Sequence, residues 1–171
     1  MGSRDHYVRL SILFFDDDPR RHELFAKFAC GHWVDHCWFV DDAVERLGHH
    51  RYDLACLDHD LATEGFLRDG REVVAGIVRL PDASRPRAVL VHSWNPLRSI
   101  DMELALASVY EPGVTLRRAT FGTFVIAPPG QACGADADLG RWISPGVPEE
   151  LIPLVQLLDG GLPPEVSLEE A

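Results

Sequence analysis

Short apolar runs alternate with helix-period stripes along the first two-thirds of this chain, and no other feature restricts its fold as strongly. Residues 8–15 (VRLSILFF) are apolar, partly β-branched and too short for a helix, so they read as a buried strand ending on Asp16, Asp17 and Asp18. Pro19 opens a helix with the stripe Leu24, Phe25 and Phe28, which Gly31 stops. Residues 34–40 form a second strand. Asp42 and Glu45 then have capping-box spacing before a helix that buries Ala43, Val44 and Leu47. Further strands fall at 54–57, 88–92 and 114–119. Between them, Val73, Val74, Ile77 and Val78 mark a third helix and residues 99–109 a fourth. Strands alternating with helices require a parallel sheet covered on both faces. Right-handed crossovers reduce the options to a flavodoxin-like, doubly wound α/β sandwich with strand order 2-1-3-4-5.

The length of 171 residues suits one domain with a full hydrophobic core. Residues 1–126 carry the α/β pattern, and 127–171 read as an extension on the same domain. That extension has a Gly/Pro/Ala-rich stretch at 128–148, then a last helix from Leu151, Ile152, Leu154, Val155 and Leu158, interrupted by Pro153. No solenoid-period repeat is present.

Charge excludes some partners. Sixteen Lys+Arg against 27 Asp+Glu give a net charge of −11, so no broad basic surface exists for duplex DNA or an anionic membrane. Cys30, Cys37, Cys56 and Cys133 form no CxxC pair, and the chain shows neither a secretory signal nor an apolar run of transmembrane length; a reduced, cytoplasmic location is expected. Cys30, His32, His36 and Cys37 match no common zinc-finger spacing, and His32, Val34, His36 and Trp38 alternate as one strand face. Lys27 is the only lysine.

In an open parallel sheet, ligands bind beyond the carboxyl ends of the strands. Here three strands end in polar clusters: Asp16-Asp17-Asp18, Asp58-His59-Asp60 and His92-Ser93-Trp94-Asn95. One aspartate behind a strand is more often a helix cap than a ligand, but three coincident rims reverse those odds. Converging carboxylates repel and call for a cation. Oxygens from Asp16, Asp17, Asp58 and Asp60 suit magnesium or manganese, while His59 or His92 in the shell would favour manganese, iron or zinc. The 58–70 loop is longer than most strand-to-helix connections. It places Arg68 and Arg71 where they could meet a phosphate, and Trp94 could stack on a base. His49 and His50 end a helix and read as a favourable C-terminal charge.

The segments ILFFDDDPRR, YDLACLDHDL and VLVHSWNP together resemble the receiver fold of response regulators, and more closely its divergent branch, the cyclic-phosphate processing receiver domains. The resemblance covers residues 10–122. It implies that Asp16 and Asp17 are the metal-binding acidic pair, Asp58 the phospho-acceptor position and Ser93 the hydroxyl that contacts a phosphoryl group. Receivers also carry a lysine after strand five, where this chain reads LRRATFG; Arg117 or Arg118 would have to substitute with a planar fork instead of a point charge.

The implied function is a metal-dependent phosphoesterase acting on a small cyclic or nucleotide-type phosphate, with Asp58, His59, His92, Ser93 and Asn95 as catalytic candidates. His92 is expected to reach the rim as metal ligand or general acid, with a buried-core role as its competitor. The alternative is a non-catalytic or phospho-accepting receiver-like module that signals through a protein partner or a homodimer.

Overall fold

The structure, a computed structural model, describes residues 10–29, 31–61, 68–93, 95–113 and 115–121, with the backbone of 124–125 and 156–157. Strands β1 (Ser11–Phe15), β2 (Trp33–Cys37), β3 (Leu54–Leu57), β4 (Ala88–Val91) and β5 (Leu116–Arg118) form one parallel sheet in the order β2-β1-β3-β4-β5. Helices α1 (Pro19–Phe28), α2 (Val40–His49), α3 (Gly70–Arg79) and α4 (Pro96–Leu106) make the crossovers. This is the flavodoxin-like topology expected from the alternation.

Side-chain alternation divides the core between two faces. Leu13, Phe15, Leu57 and Val91 pack under α2, α3 and α4, against Ala43, Leu47, Val73, Ile77 and Met102. Ile12, Phe14, Cys56 and Leu90 point the other way, toward Phe25 of α1 and Phe121. Each fully buried Leu or Phe contributes about 1.5–3 kcal/mol relative to exposure, so both layers hold the sheet. Phe14 is stacked on Phe25 with ring centroids 4.0 Å apart, which clamps α1 to β1.

Several boundaries differ from expectation. Strand β2 ends at Cys37 and α2 already starts at Val40, with Phe39 as a cap residue that makes no side-chain hydrogen bond. Asp42 therefore lies inside the helix and accepts from Arg46 Nε at 2.8 Å, rather than capping it. Helix α4 starts three residues early: Asn95 caps it by accepting from the Arg98 N–H at 3.2 Å, and Pro96 takes the first position, where no N–H is needed. Gln156–Leu157 is extended and pairs antiparallel with Phe124–Val125, where a helix was expected; Pro153 and Gly160 leave too short an interval for several helical turns. The rest of that extension, Val8, Cys30, Trp94, Val114, Cys133 and the Phe28 side chain lie outside the described residues.

Candidate metal centre

Strand register alone brings the site together. Phe15 is level with Cys37 and Leu57, and Leu57 with Val91. The ladder runs one residue further: the Asp58 N–H donates to Phe15 O at 3.0 Å and the His92 N–H to Leu57 O at 2.9 Å. Asp16, Asp58 and His92 each follow a residue that faces α2–α4, so all three project on the α1 side, next to one another. Gly70 sets the height of the β3 end. Its N–H donates to His59 O at 3.1 Å, and a Cβ there would lie 2.1 Å from the Asp58 carbonyl oxygen.

Oxygens of Asp16, Asp17 and Asp58 all lie within 4.8 Å of one another. Asp16 is fully buried and Asp58 nearly so, at 0% and 1% exposure. Asp16 Oδ1 accepts from the Asp18 N–H and Asp58 Oδ1 from the His59 N–H, each at 2.8 Å. The Oδ2 atom of each, also buried, makes no well-aligned hydrogen bond. Burial and then the charge of Asp58 push the Asp16 carboxyl up to about 8, against the pull of Arg21. Burial likewise raises Asp58, opposed by Arg21, the His59 N–H and the Ser93 hydroxyl. Buried oxygens that lack a well-aligned hydrogen bond, in an all-oxygen donor set, fit a hard divalent cation such as magnesium or manganese.

The cation the chain itself puts there is Arg21. Its Nη2 lies 3.1 Å from Asp16 Oδ1 and 3.7 Å from Asp17 Oδ1, and its Nη1 lies 3.1 Å from Asp58 Oδ2. Sequence reasoning missed this residue, although a signal existed. The first turn of α1 contains no acid and begins Pro19-Arg20-Arg21, placing cations at the positive end of a helix dipole. Such a placement calls for nearby anions.

His92 takes its expected strand position but not the rim. It is fully buried, stacked on Phe14 at 5.1 Å with planes 9° apart and 5.6 Å from Phe121. Its Nδ1 approaches Asp16 Oδ2 at 3.8 Å. Burial, then Arg21, lowers it to about 3, so the imidazole beneath Asp16 is neutral at ordinary pH.

A histidine pair near the site was not anticipated. His22 Nε2 lies 2.8 Å from the Asp16 carbonyl oxygen, which can only accept, so that nitrogen carries the proton. The neutral ring then presents a bare Nδ1 to His36 Nδ1 at 2.7 Å, making His36 the donor. Burial lowers His22 to about 4 and lowers His36 as well. The chain from His36 through His22 fixes the Asp16 backbone. His36 packs against Phe14 on the α1 side while Cys37 is buried on the other face, so these two cannot share a zinc ion.

The remaining candidates have other partners. His59 lies with Nδ1 2.7 Å from Asp60 Oδ1 and Nε2 3.6 Å from Asp69 Oδ2. Asp60 is thereby turned to His59 and exposed, outside the carboxylate triad. Ser93 Oγ accepts from the Asn95 N–H at 3.2 Å, and the Asn95 side chain is occupied as the α4 cap. Arg68 pairs with Asp41 and Glu72, and Arg71 with Asp69 at 2.7 Å. Arg118 pairs with Glu103 at 2.9 Å, and Arg117 is half-buried and lowered by that burial.

The profile of the family described as the cyclic-phosphate processing receiver domain matches residues 11–108. Among solved structures, the chain is similar to response regulator TrrA of Thermotoga maritima, determined in complex with Mg(2+)-BeF: TM-score 0.50 and 19% identity over 66% of this chain and 86% of that one. A CheY-like receiver domain protein of Methanospirillum hungatei JF-1 gives TM-score 0.50 and 14% identity over 66% and 82%. The N-terminal domain of a receiver protein of Methanoculleus marisnigri JR1 gives 0.49 and 22% over 67% and 85%. At such identities the likeness carries the fold alone. Among curated proteins, none matches this chain. No helix among the described residues is long and apolar enough to cross a membrane.

Proposed function

The chain belongs to the cyclic-phosphate processing receiver family, and from that premise we propose that it is a metal-dependent phosphoesterase opening a small cyclic phosphate or nucleotide-type phosphate. The observation that carries this reading is the buried Asp16–Asp17–Asp58 oxygen triad, in which the Oδ2 atoms of Asp16 and Asp58 make no well-aligned hydrogen bond. Asp16, Asp17 and Asp58 would hold magnesium or manganese. A divalent cation there supplies Lewis acidity, offsetting phosphoryl charge and acidifying an attacking water. The Ser93 hydroxyl donates to a phosphoryl oxygen. His59, held between Asp60 and Asp69, delivers a proton to the departing ester oxygen. One P–O bond forms to water as one ring P–O bond breaks, giving a monoester and a free hydroxyl. His92, neutral beneath Asp16, orients that carboxylate and serves as a positioning residue.

Incubation with manganese and a panel of cyclic phosphates, followed by phosphorus NMR, tests the reading. Metal-dependent ring opening is expected, falling about a hundredfold or more in His59→Gln. No product on any ring, with manganese bound, would overturn it. In His92→Gln, a loss as large as that of His59→Gln would return the acid role to His92.

The proximity of the Ser93 hydroxyl to Asp58 favours a second reading, a phospho-accepting module that signals through a protein partner. Acetyl phosphate with magnesium would then leave a phosphoryl group on Asp58. An unmodified intact mass removes that version.

A further inference from the structure

Arginines 20 and 21 open the same helix and behave differently. Arg20 folds back on its own cap, Asp18, with a side chain 63% exposed. Arg21 turns inward, 19% exposed, and its fork spans Asp16 and Asp58 at 3.1 Å each. These oxygens belong to the carboxylates of Asp16 and Asp58, which with Asp17 form the cluster able to hold a divalent cation. A cation bound to these carboxylates at about 2.0–2.6 Å competes for them with a guanidinium whose nitrogens already face both. Like charges so close in a buried cradle repel strongly. The fit of Arg21 is also incomplete, because its Nε is buried and makes no hydrogen bond.

Among the described residues, the cradle lacks a second cationic feature. The residue after β5 that continues the ladder, donating its N–H to Val91 O at 2.9 Å, is Ala119, and no lysine follows it. Arg118 is committed to Glu103, and Lys27 lies at the far end of α1. Among the described cations, Arg21 alone reaches the triad.

We propose that Arg21 and the divalent cation are alternate occupants of the Asp16–Asp17–Asp58 cradle, and that Arg21, displaced by the metal, grips the substrate phosphoryl group in place of the lysine the chain lacks. The proposal rests on the metal-dependent reading above. In the metal-free protein Arg21 neutralises part of the buried charge. After loading, its planar fork stands at the mouth beside Ser93 and donates to two phosphoryl oxygens at once.

Manganese affinity, read by electron paramagnetic resonance, and inorganic phosphate affinity of the manganese-loaded protein, read by calorimetry, test it without any turnover. Arg21→Gln should bind manganese at least about tenfold more tightly and phosphate at least about tenfold more weakly. Manganese binding unchanged or weakened in Arg21→Gln, with the wild type binding normally, overturns the competition while leaving the metal reading intact. No manganese binding in either protein overturns both. If Arg21→Gln does not fold without metal, Arg21→Lys keeps the charge and removes the fork. It should bind manganese within about threefold of wild type and phosphate about tenfold more weakly; equal phosphate affinity overturns the proposal.

Discussion

The two ends of the central sheet treat their carboxylates in opposite ways. At the amino end, Asp53 Oδ2 accepts from the Ser11 N–H at 2.9 Å and from Ser11 Oγ at 3.1 Å. Tyr110 donates to Pro86 O at 2.9 Å, and Arg85 covers the carbonyls of Ile77 and Val78 at the end of α3. At the carboxyl end, Asp16 and Asp58 each keep a buried oxygen without a hydrogen bond, as do Arg21 Nε and His59 Nε2 their protons or lone pairs. Both ends belong to the same strands and the same core. A chain that satisfies its polar groups at one end can do so at the other, so the unmade bonds set the carboxyl end apart as the candidate site.

The contrast can be broken most forcefully at Gly70. Its α-carbon lies so close to the Asp58 carbonyl that Gly70→Ala should cost about 3 kcal/mol in urea unfolding, by overpacking against backbone. An unchanged midpoint would mean that the close approach of α3 does not hold the β3 end in place. Next in size is Asp53→Ala, which strands the Ser11 N–H and should cost about 1–2 kcal/mol.

The pH dependence of the metal-free protein sharpens the comparison. The Asp16 carboxyl titrates at about 8 folded and 3.8 unfolded, so the folded state holds the extra proton and its stability falls as pH rises between those values. His22, at about 4 folded against 6.5 unfolded, acts with opposite sign, losing stability as pH falls from 6.5. Above 6.5 the Asp16 effect stands alone of the two. From pH 6.5 to 8 in a chelator, wild type should lose roughly 1 kcal/mol and Asp16→Asn much less; parallel profiles would show that Asp16 is not the titrating group. The smallest effect belongs to Arg118→Ala. Its half-exposed pair with Glu103 should contribute under about 0.5 kcal/mol, and phosphate binding should not change. A tenfold loss of phosphate affinity would restore Arg118 as the lysine substitute.

Much of the fold was legible because it follows from period and punctuation. The runs at β3 and β4 are uniformly apolar, as is β1 beyond Ser11; all three stop at aspartate or histidine, and the stripes between them have helical spacing. Ends set by single residues were not legible. Asp42 looks like a cap until Val40 is seen to enter the helix, and Asn95 looks catalytic until its carbonyl is seen to accept from Arg98. Asp16, Asp17 and Asp58 were readable from their place after strands. Arg21 and the His22–His36 pair were not, because their roles depend on which way helix α1 rotates over Phe14 and Phe25. His92 shows the same limit: its strand position is as read, while its depth comes from the aromatic layer around it.

The most direct test of the carboxyl end as a cation site is the stability of Asp58→Ala against wild type, measured in chelator and again in saturating manganese. In chelator the variant should stay within about 1 kcal/mol of wild type, because removing a buried, repelled carboxylate offsets the stranded His59 N–H. With manganese at about a hundred times its dissociation constant, wild type should gain about 2.7 kcal/mol and the variant almost nothing. A variant that loses about 2 kcal/mol or more in chelator, with wild type indifferent to manganese, would make Asp58 a structural residue like Asp53 and contradict the account.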